Sequence, residues 1–267
     1  MSDVDDLRPR LAGAIDAVRE RAPLVHGATG SVTRALVADG LLAAGARPML
    51  TESAEEAPTL VTVADALLVN LGSLSTDGMS GFVPTARAAG ARGLPWVLDP
   101  TAVGVAPVRT PLARELLDLR PTVVRGNASE VLVLAGGAKG GRGADSTAAP
   151  GAAGPAARAL ADGYGCTVAV SGEVDVVTDG RRTVRVASGT PLLTRVSGTG
   201  CLLGALTAAH LAVADPFVAA VAATALLTVA SERVAHLRPG SFRVGLLDAL
   251  DEVGADEVAR EVRLAWG

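Results

Sequence analysis

The sequence contains few cysteines and no long apolar run, and each shortage excludes a class of protein. Cys166 and Cys201 are the only two cysteines, and they are not spaced as Cys-x-x-Cys. We therefore predict neither a disulfide framework nor a zinc motif, and we expect a reducing, cytoplasmic location. The most apolar late run, Phe217 to Ala230, has 14 residues. That run is too short to cross a membrane and favours a buried core helix.

The charge pattern gives no sign of a nucleic-acid or membrane partner. The formal net charge is −4, and Lys139 is the only lysine, so we interpret the arginines as compositional bias. The stretch Met1 to Asp6 is acidic and lacks the basic-then-apolar order of a signal peptide. A hydrophobic content of 49% with 19% charged residues predicts a globular protein.

Neither of the common nucleotide-binding motifs is present. The pattern from Gly198 to Gly204 is Gly-x-Gly-x-x-x-Gly, which misses the dinucleotide fingerprint by one residue. The stretch from Gly136 to Gly143 contains Lys139, but no serine or threonine follows that lysine as a Walker A loop requires. The histidines lack metal spacing, and His210 lies in an apolar segment, which favours a core position.

Short β-rich runs alternate with helical segments along most of the chain. The predicted strands are Ala66–Asn70, Trp96–Asp99, Thr122–Arg125 and Thr167–Ser171. The predicted helices span 33–44, 54–64, 80–92, 110–118, 128–135, 151–163, 201–214 and 216–236. Asp179-Gly180, between β-rich runs at 174–178 and 183–187, predicts a hairpin, and 139–155 is predicted to be a mobile surface loop. Apolar strands separated by helices indicate one α/β domain over 1–267, with a mostly parallel sheet covered by helices on both faces.

Polar residues end several of the predicted strands. Ligands bind at the carboxyl ends of strands in open α/β sheets, so we expect one site that contains Asn70, Asp99, Arg125, Asn127, Glu130 and Ser171. Asp99 and Glu130 offer the hard oxygen ligands that suit Mg²⁺ held with nucleotide phosphates. The alternatives are structural: Asp99-Pro100 as a common turn, Ser129-Glu130 as a helix start, and Arg125 as part of an ion pair.

The segment Gly198-Thr199-Gly200-Cys201 leads directly into an alanine-rich apolar run, which predicts a tight turn that begins a buried helix. Unpaired N–H groups at such a helix start form an anion site, most often for phosphate. The same field favours a thiolate at Cys201. The alternative is a small buried cysteine with no chemical role.

On these residues the sequence resembles the hydroxyethylthiazole kinases, a family with the ribokinase-like fold. The similarity covers almost the whole chain. Its most specific parts are Arg125-Gly126-Asn127-Ala128-Ser129-Glu130 and Gly198-Thr199-Gly200-Cys201, and Val69-Asn70-Leu71-Gly72 and Val97-Leu98-Asp99-Pro100 belong to it as well.

The resemblance implies that ATP and Mg²⁺ are used to phosphorylate the hydroxyethyl group of 4-methyl-5-(2-hydroxyethyl)thiazole, a step towards thiamine. It also implies a homotrimer with active sites at subunit interfaces. The resemblance implies that Arg125, Asn127 and Ser171 contact ATP and that Asp99 and Glu130 organise Mg²⁺. It implies that Gly198 contacts the substrate and that Cys201 accepts the proton of the alcohol. The expected anion hole is formed by Gly198, Thr199, Gly200 and Cys201.

The sequence departs from this family where the acceptor alcohol is expected to bind. Gly27 and Gly30 replace asparagines, Asp39 replaces another, and Leu50 stands where the family has a methionine, with Met49 one place earlier. We expect Gly30, Met49 and Leu50 to contact the substrate. Because a glycine offers no side-chain donor or acceptor, two alternatives stay open: a kinase of another small hydroxyalkyl heterocycle, and a non-catalytic nucleotide- or metabolite-binding homologue.

Overall fold

A computed structural model describes residues 4–136 and 153–267 of the chain. Within them lie the helices α1 Val4–Arg21, α2 Ser31–Ala43, α3 Ala57–Leu60, α4 Thr76–Ala91, α5 Arg109–Asp118, α6 Ala128–Leu134, α7 Ala153–Tyr164, α8 Thr199–Leu211, α9 Pro216–Arg233, α10 Pro239–Glu252 and α11 Ala255–Glu261. The strands are β1 Leu24–Ala28, β2 Arg47–Met49, β3 Ala66–Asn70, β4 Trp96–Asp99, β5 Val123–Asn127, β6 Thr167–Ser171, β7 Asp175–Thr178, β8 Thr183–Val186 and β9 Leu264–Trp266.

The strands of the described residues form one sheet in the order β2-β1-β3-β4-β5-β6-β7-β8-β9. The first six strands of this order pair in parallel, and β7, β8 and β9 add antiparallel pairs at the far edge. The predicted hairpin is therefore confirmed. The strands β1, β2 and β9 were not predicted, because β2 and β9 have three residues each and β1 contains a histidine and a glycine.

Helices cover both faces of the sheet and bury two apolar cores. Along β3 the side chains alternate, since Leu68 packs into one core while Leu67 and Val69 pack into the other. The helices α8 and α9 are apolar on nearly every side, which is expected for helices that lie inside a core. With its 18 residues α9 is long and apolar enough to cross a membrane, but 83% of that stretch is buried inside the protein. The prediction of a core helix is confirmed.

Several element bounds differ from the predictions for local reasons. The helix α4 begins before residue 80, because the Ser75 hydroxyl accepts the N–H of Gly78 at 2.9 Å and caps the helix. The segment 54–64 divides into the short α3 and a 3-10 helix, Val61–Val63. Of the predicted loop at 139–155, residues 139–152 lie outside the described residues, whereas 153–155 begin α7 and the loop prediction is wrong there. The helices α1, α10 and α11 were not predicted.

Candidate active site

The carboxyl ends of four neighbouring parallel strands bring the predicted polar residues to one edge of the sheet. Asn70 ends β3, Asp99 ends β4, Asn127 ends β5 and Ser171 ends β6. The register supports this convergence, because Asn70 pairs with Asp99 and Asn127 pairs with Ser171 across adjacent strands. The predicted cluster therefore exists, and it lies where ligands bind in open α/β sheets.

Arg125 connects two of these strand ends. Its Nη1 donates to Asp99 Oδ2 at 3.1 Å, and its Nη2 donates to Ser171 Oγ at 2.8 Å. The Arg125 side chain is 13% exposed and that of Asp99 only 1%. A buried pair of this kind costs much desolvation free energy and depends on its hydrogen bonds. The ion pair with Asp99, which was the structural interpretation of Arg125, is present. The same pair places the guanidinium charge where phosphates are expected to bind, so it is compatible with the ATP contact as well.

Glu130 lies at the start of α6, and its carboxylate forms hydrogen bonds with two backbone segments. Its carboxylate accepts the N–H of Asn127 and that of Ala102, both at 2.8 Å, while Asn127 Oδ1 accepts the N–H of Glu130 at 3.0 Å. This arrangement is a capping box with Asn127 as the N-cap. The structural alternative for Ser129-Glu130, a helix start, is confirmed. The ATP contact of Asn127 stays a prediction.

Two buried carboxylates in this site suit a hard cation. Burial, and secondarily the charge of Asp99, raises the pKa of Glu130 to about 7. A cation between Asp99 and Glu130 would relieve that repulsion, and carboxylate oxygens are the ligands that Mg²⁺ prefers. In the described residues no three side chains of His, Cys, Asp and Glu are grouped to hold a metal. Phosphate oxygens and waters would therefore supply most of the ligands.

The Gly198–Cys201 turn begins α8 as predicted, and both of its glycines lie close to neighbouring side chains. Gly198 is the N-cap with φ +96°, and a Cβ added there would lie 3.0 Å from Thr33 Cγ2. A Cβ on Gly200 would lie 2.8 Å from Arg125 Nη1. The turn therefore lies directly against the Arg125 guanidinium. The free N–H groups at the start of a 13-residue helix and a buried cation thus lie side by side.

Cys201 lies in the first turn of α8, with Sγ 3.5 Å from Asn70 Oδ1. Burial, followed by the negative charge of Asp99, raises the pKa of the Cys201 thiol above its ordinary value. The prediction that the helix start lowers the pKa of this thiol is therefore wrong. The helix start favours the anion, but removing the thiol from water next to a carboxylate has the larger effect.

The acceptor side of the site is closed by backbone and aliphatic atoms. A Cβ added to Gly30 would lie 2.7 Å from Ser73 Cβ, and closer still to the carbonyl oxygens of Gly72 and Ser73. A Cβ added to Gly27 would lie 2.5 Å from Leu50 Cδ2. Because these two positions lack a Cβ, the backbone of Gly72 and Ser73 packs directly against Gly30, and Leu50 packs against Gly27.

Of the other acceptor-side residues, Met49 ends the edge strand β2 and is half-buried, as is Leu50. Asp39 lies on the exposed face of α2. The substrate contacts of Gly30, Met49 and Leu50 stay predictions.

Three threonines of this site were not identified from the sequence. Thr101 Oγ1 donates to Asp99 Oδ1 at 2.9 Å, and Thr29 Oγ1 lies 3.3 Å from Asn70 Oδ1. Thr33 contacts both Thr29 and the thiol of Cys201. Thr101 follows Asp99-Pro100 directly, so a hydroxyl two residues after a strand-ending aspartate was the available signal. Thr29 and Thr33 carry no such signal, since their contacts arise from the approach of α2 to α8.

Solved structures of known proteins share this architecture. The pyridoxal kinase from Staphylococcus aureus in complex with AMP-PCP and pyridoxal matches with a TM-score of 0.60 over 78% of this chain and 87% of that chain. At 18% identity this likeness concerns the fold alone. The fold is therefore the α/β, ribokinase-like fold that the sequence predicted.

Sequence comparison defines the family within this class. The model of the hydroxyethylthiazole kinase family matches residues 15–256, and the chain belongs to that family. The hydroxyethylthiazole kinase of Kineococcus radiotolerans is 50% identical over 95% of this chain and 94% of its own length. That of Clavibacter sepedonicus is 48% identical over 96% and 94%. The structure of the hydroxyethylthiazole kinase protein from Pyrococcus horikoshii matches with a TM-score of 0.87 and 34% identity, over 96% of this chain and 98% of that one. The expected enzyme class, a kinase that phosphorylates an alcohol, is confirmed.

Proposed function

We propose that this kinase transfers the terminal phosphoryl group of ATP to the hydroxyethyl group of 4-methyl-5-(2-hydroxyethyl)thiazole, in the presence of Mg²⁺. The observation that carries the proposal is the contact between the Gly198–Cys201 turn and Arg125, which itself bridges Asp99 and Ser171. Phosphoryl transfer depends on positioning and on neutralising the charge of the transferred group. A helix start and a buried guanidinium side by side supply both.

Each polar residue of the site has a role in this proposal. The N–H groups of the turn bind the transferred phosphoryl group, and Arg125 and Ser171 hold the nucleotide phosphates. Asp99 and Glu130 would hold Mg²⁺, which supplies charge neutralisation between the phosphates when bound. Asn127 fixes Glu130 through the capping box and faces the same edge of the sheet.

Cys201 contacts the acceptor hydroxyl in this proposal. In the protein without substrate the thiol is the favoured form, because its pKa is raised. Its sulfur can accept a weak hydrogen bond from the alcohol and so orient the attacking oxygen. Taking the proton late in the transfer requires the thiolate, and a positioned base typically contributes about 10²–10⁴-fold.

The acceptor alcohol is the part of the proposal with a competing candidate. Gly27 and Gly30 themselves supply no polar side chain on the acceptor side, and Leu50 and the backbone of Gly72 and Ser73 occupy the space beside them. These replacements are the reason why a different small hydroxyalkyl heterocycle is the competing candidate. A non-catalytic binding role is less well supported, since the charged residues of the phosphate side are all present and paired.

We also propose that the chain is a single kinase domain that assembles as a homotrimer, with a second copy covering the acceptor side. Val32, two residues after Gly30, is 68% exposed, and Leu42 is a further exposed apolar side chain on the same helix α2, which packs against the edge strand β2. Apolar side chains exposed together mark interaction surfaces. The free thiols of both cysteines agree with a cytoplasmic location.

The experiment is a coupled assay of ADP release with purified protein, MgATP and the thiazole alcohol. We expect turnover well above that of Cys201→Ala, measured beside it. Equal rates of the two proteins would contradict the proposal. A panel of heterocyclic alcohols in the same assay decides the acceptor, because faster turnover of another alcohol would replace the thiazole as substrate. Light scattering after size-exclusion chromatography measures the molar mass and so tests whether the protein is a trimer.

A further inference from the structure

A continuous chain of hydrogen bonds runs behind the site from Cys201 to the carboxylate of Asp99. The Cys201 thiol donates to Asn70 Oδ1 at 3.5 Å, and Asn70 Nδ2 donates to Thr101 Oγ1 at 3.4 Å. The Thr101 hydroxyl then donates to Asp99 Oδ1 at 2.9 Å. The uncharged residues Asn70 and Thr101 therefore connect Cys201, next to the acceptor, with Asp99 on the phosphate side.

The direction of every link in this chain is determined by chemistry. The backbone N–H of Gly72 can only donate, and it lies 2.9 Å from Asn70 Oδ1, so the amide oxygen must face it. The amide nitrogen of Asn70 then faces Thr101. Because the carboxylate of Asp99 only accepts, the Thr101 hydroxyl must donate to it and accept from Asn70.

Asn70 has little freedom to leave this arrangement. The residue is fully buried at the end of β3, and a buried amide that loses a partner is left with an unsatisfied polar group. Its oxygen lies near three donors, from Gly72, Thr29 and Cys201. Thr101 is the partner of its nitrogen. Removing the Thr101 hydroxyl would therefore release one side of the amide that holds the thiol.

We propose that Asn70 and Thr101 are positioning residues that hold the Cys201 sulfur in a fixed place relative to Asp99. The acceptor hydroxyl beside Cys201 then keeps a constant distance from the phosphates organised at Asp99. This inference rests on the proposed function only in naming what Cys201 contacts. Because phosphoryl transfer is sensitive to the alignment of its reacting groups, losing the link lowers kcat and leaves substrate binding almost unchanged.

The test is the series Thr101→Val, Thr101→Ser and Thr101→Ala, each made in the wild-type protein and in Cys201→Ala. In the wild-type background we expect Thr101→Val and Thr101→Ala to lower kcat about tenfold, the size of one hydrogen bond. The KM for ATP should stay within about twofold, and Thr101→Ser should recover most of kcat. In the Cys201→Ala background the same Thr101 changes should lower kcat less than about twofold, because their effect passes through the thiol.

Equal losses in both backgrounds would overturn the inference, since Thr101 would then act on Asp99 alone. An unchanged kcat in Thr101→Val and Thr101→Ala would overturn it as well. A readout without turnover is the alkylation rate of Cys201 by iodoacetamide, followed by peptide mass with the buried Cys166 as internal reference. Release of the sulfur should change that rate about threefold in Thr101→Val and leave it unchanged in Thr101→Ser. Equal rates in these two variants would count against the inference even if the wild-type protein did not phosphorylate the thiazole.

Discussion

The phosphate side and the acceptor side of the site are built in different ways. On the phosphate side, Arg125 joins Asp99 and Ser171 by hydrogen bonds across strand ends, and the Glu130 carboxylate accepts the backbone N–H groups of Asn127 and Ala102. On the acceptor side, glycines pack against backbone and aliphatic atoms. We therefore expect the reaction to depend on an electrostatic network and the choice of alcohol to depend on shape. A change on one side should affect a different measurable quantity from a change on the other.

The largest expected effect comes from removing the cation of the phosphate side. Arg125→Met leaves the buried Asp99 without its guanidinium partner and removes the donor to Ser171. We expect kcat/KM for ATP to fall by about 10³-fold, because transition-state charge loses its nearest buried counter-charge. Steady-state kinetics with varied ATP measure the loss.

Arg125→Lys is the matched control, since it keeps the charge without the planar fork that spans Asp99 and Ser171. It should recover only part of the activity. If kcat/KM of Arg125→Met stayed within tenfold of wild type, the charged residues of the phosphate side would contribute to stability and not to catalysis. The proposed difference between the phosphate side and the acceptor side would then be contradicted.

The next effect is a packing effect on the acceptor side. Gly30→Asn places a side chain against the backbone of Gly72 and Ser73. We expect the free energy of unfolding in urea to fall by about 1–3 kcal/mol, the usual cost of overpacking. Gly90→Ala in α4 is the control, because a Cβ there meets nothing within 4 Å. Stability of Gly30→Asn equal to that control would show that the acceptor side is open and adaptable.

A smaller effect is expected from pH on the phosphate side. The pKa of Glu130 in the folded protein is about 7, above its ordinary 4.5, so the folded state holds a proton on Glu130 over that interval. The stability contributed by this proton is present below pH 4.5 and is lost as the pH rises to about 7. Because Mg²⁺ binds the carboxylate form, its affinity should weaken up to about tenfold per pH unit below 7.

Titration of activity with Mg²⁺ at pH 6 and pH 8 measures this effect. Glu130→Gln is the reference, since it cannot titrate and cancels the protonation of ATP itself. The same pH dependence in both proteins would remove Glu130 from the proposed metal ligands.

The smallest effect concerns the pair Gly27 and Leu50. Gly27→Ala forces the end of the Leu50 side chain to move, at a cost of about 1 kcal/mol in unfolding free energy. Leu50→Ala removes the obstacle, so in its background Gly27→Ala should cost almost nothing. Additive losses in the double variant, measured by urea unfolding, would show that the two residues do not share the space.

Much of the phosphate side could be predicted, because its residues follow strands whose ends meet by a general rule. Asn70, Asp99, Asn127 and Ser171 each end a strand, and the glycine turn ahead of an apolar run predicted the start of α8. The protonation of Cys201 could not be predicted from its place at that start. Its pKa depends on burial and on Asp99, which is distant in sequence and close only in the folded protein.

By itself, the sequence determined the α/β class and the family, and it predicted the residues that we propose for phosphoryl transfer, because these depend on local patterns and strand ends. Only the tertiary structure decided what the turn and the glycines contact. Gly200 at the start of α8 lies against Arg125 of β5, and Gly30 is closed off because the loop after β3 crosses it. Such contacts join segments far apart in the chain, and no local pattern encodes the distance between them.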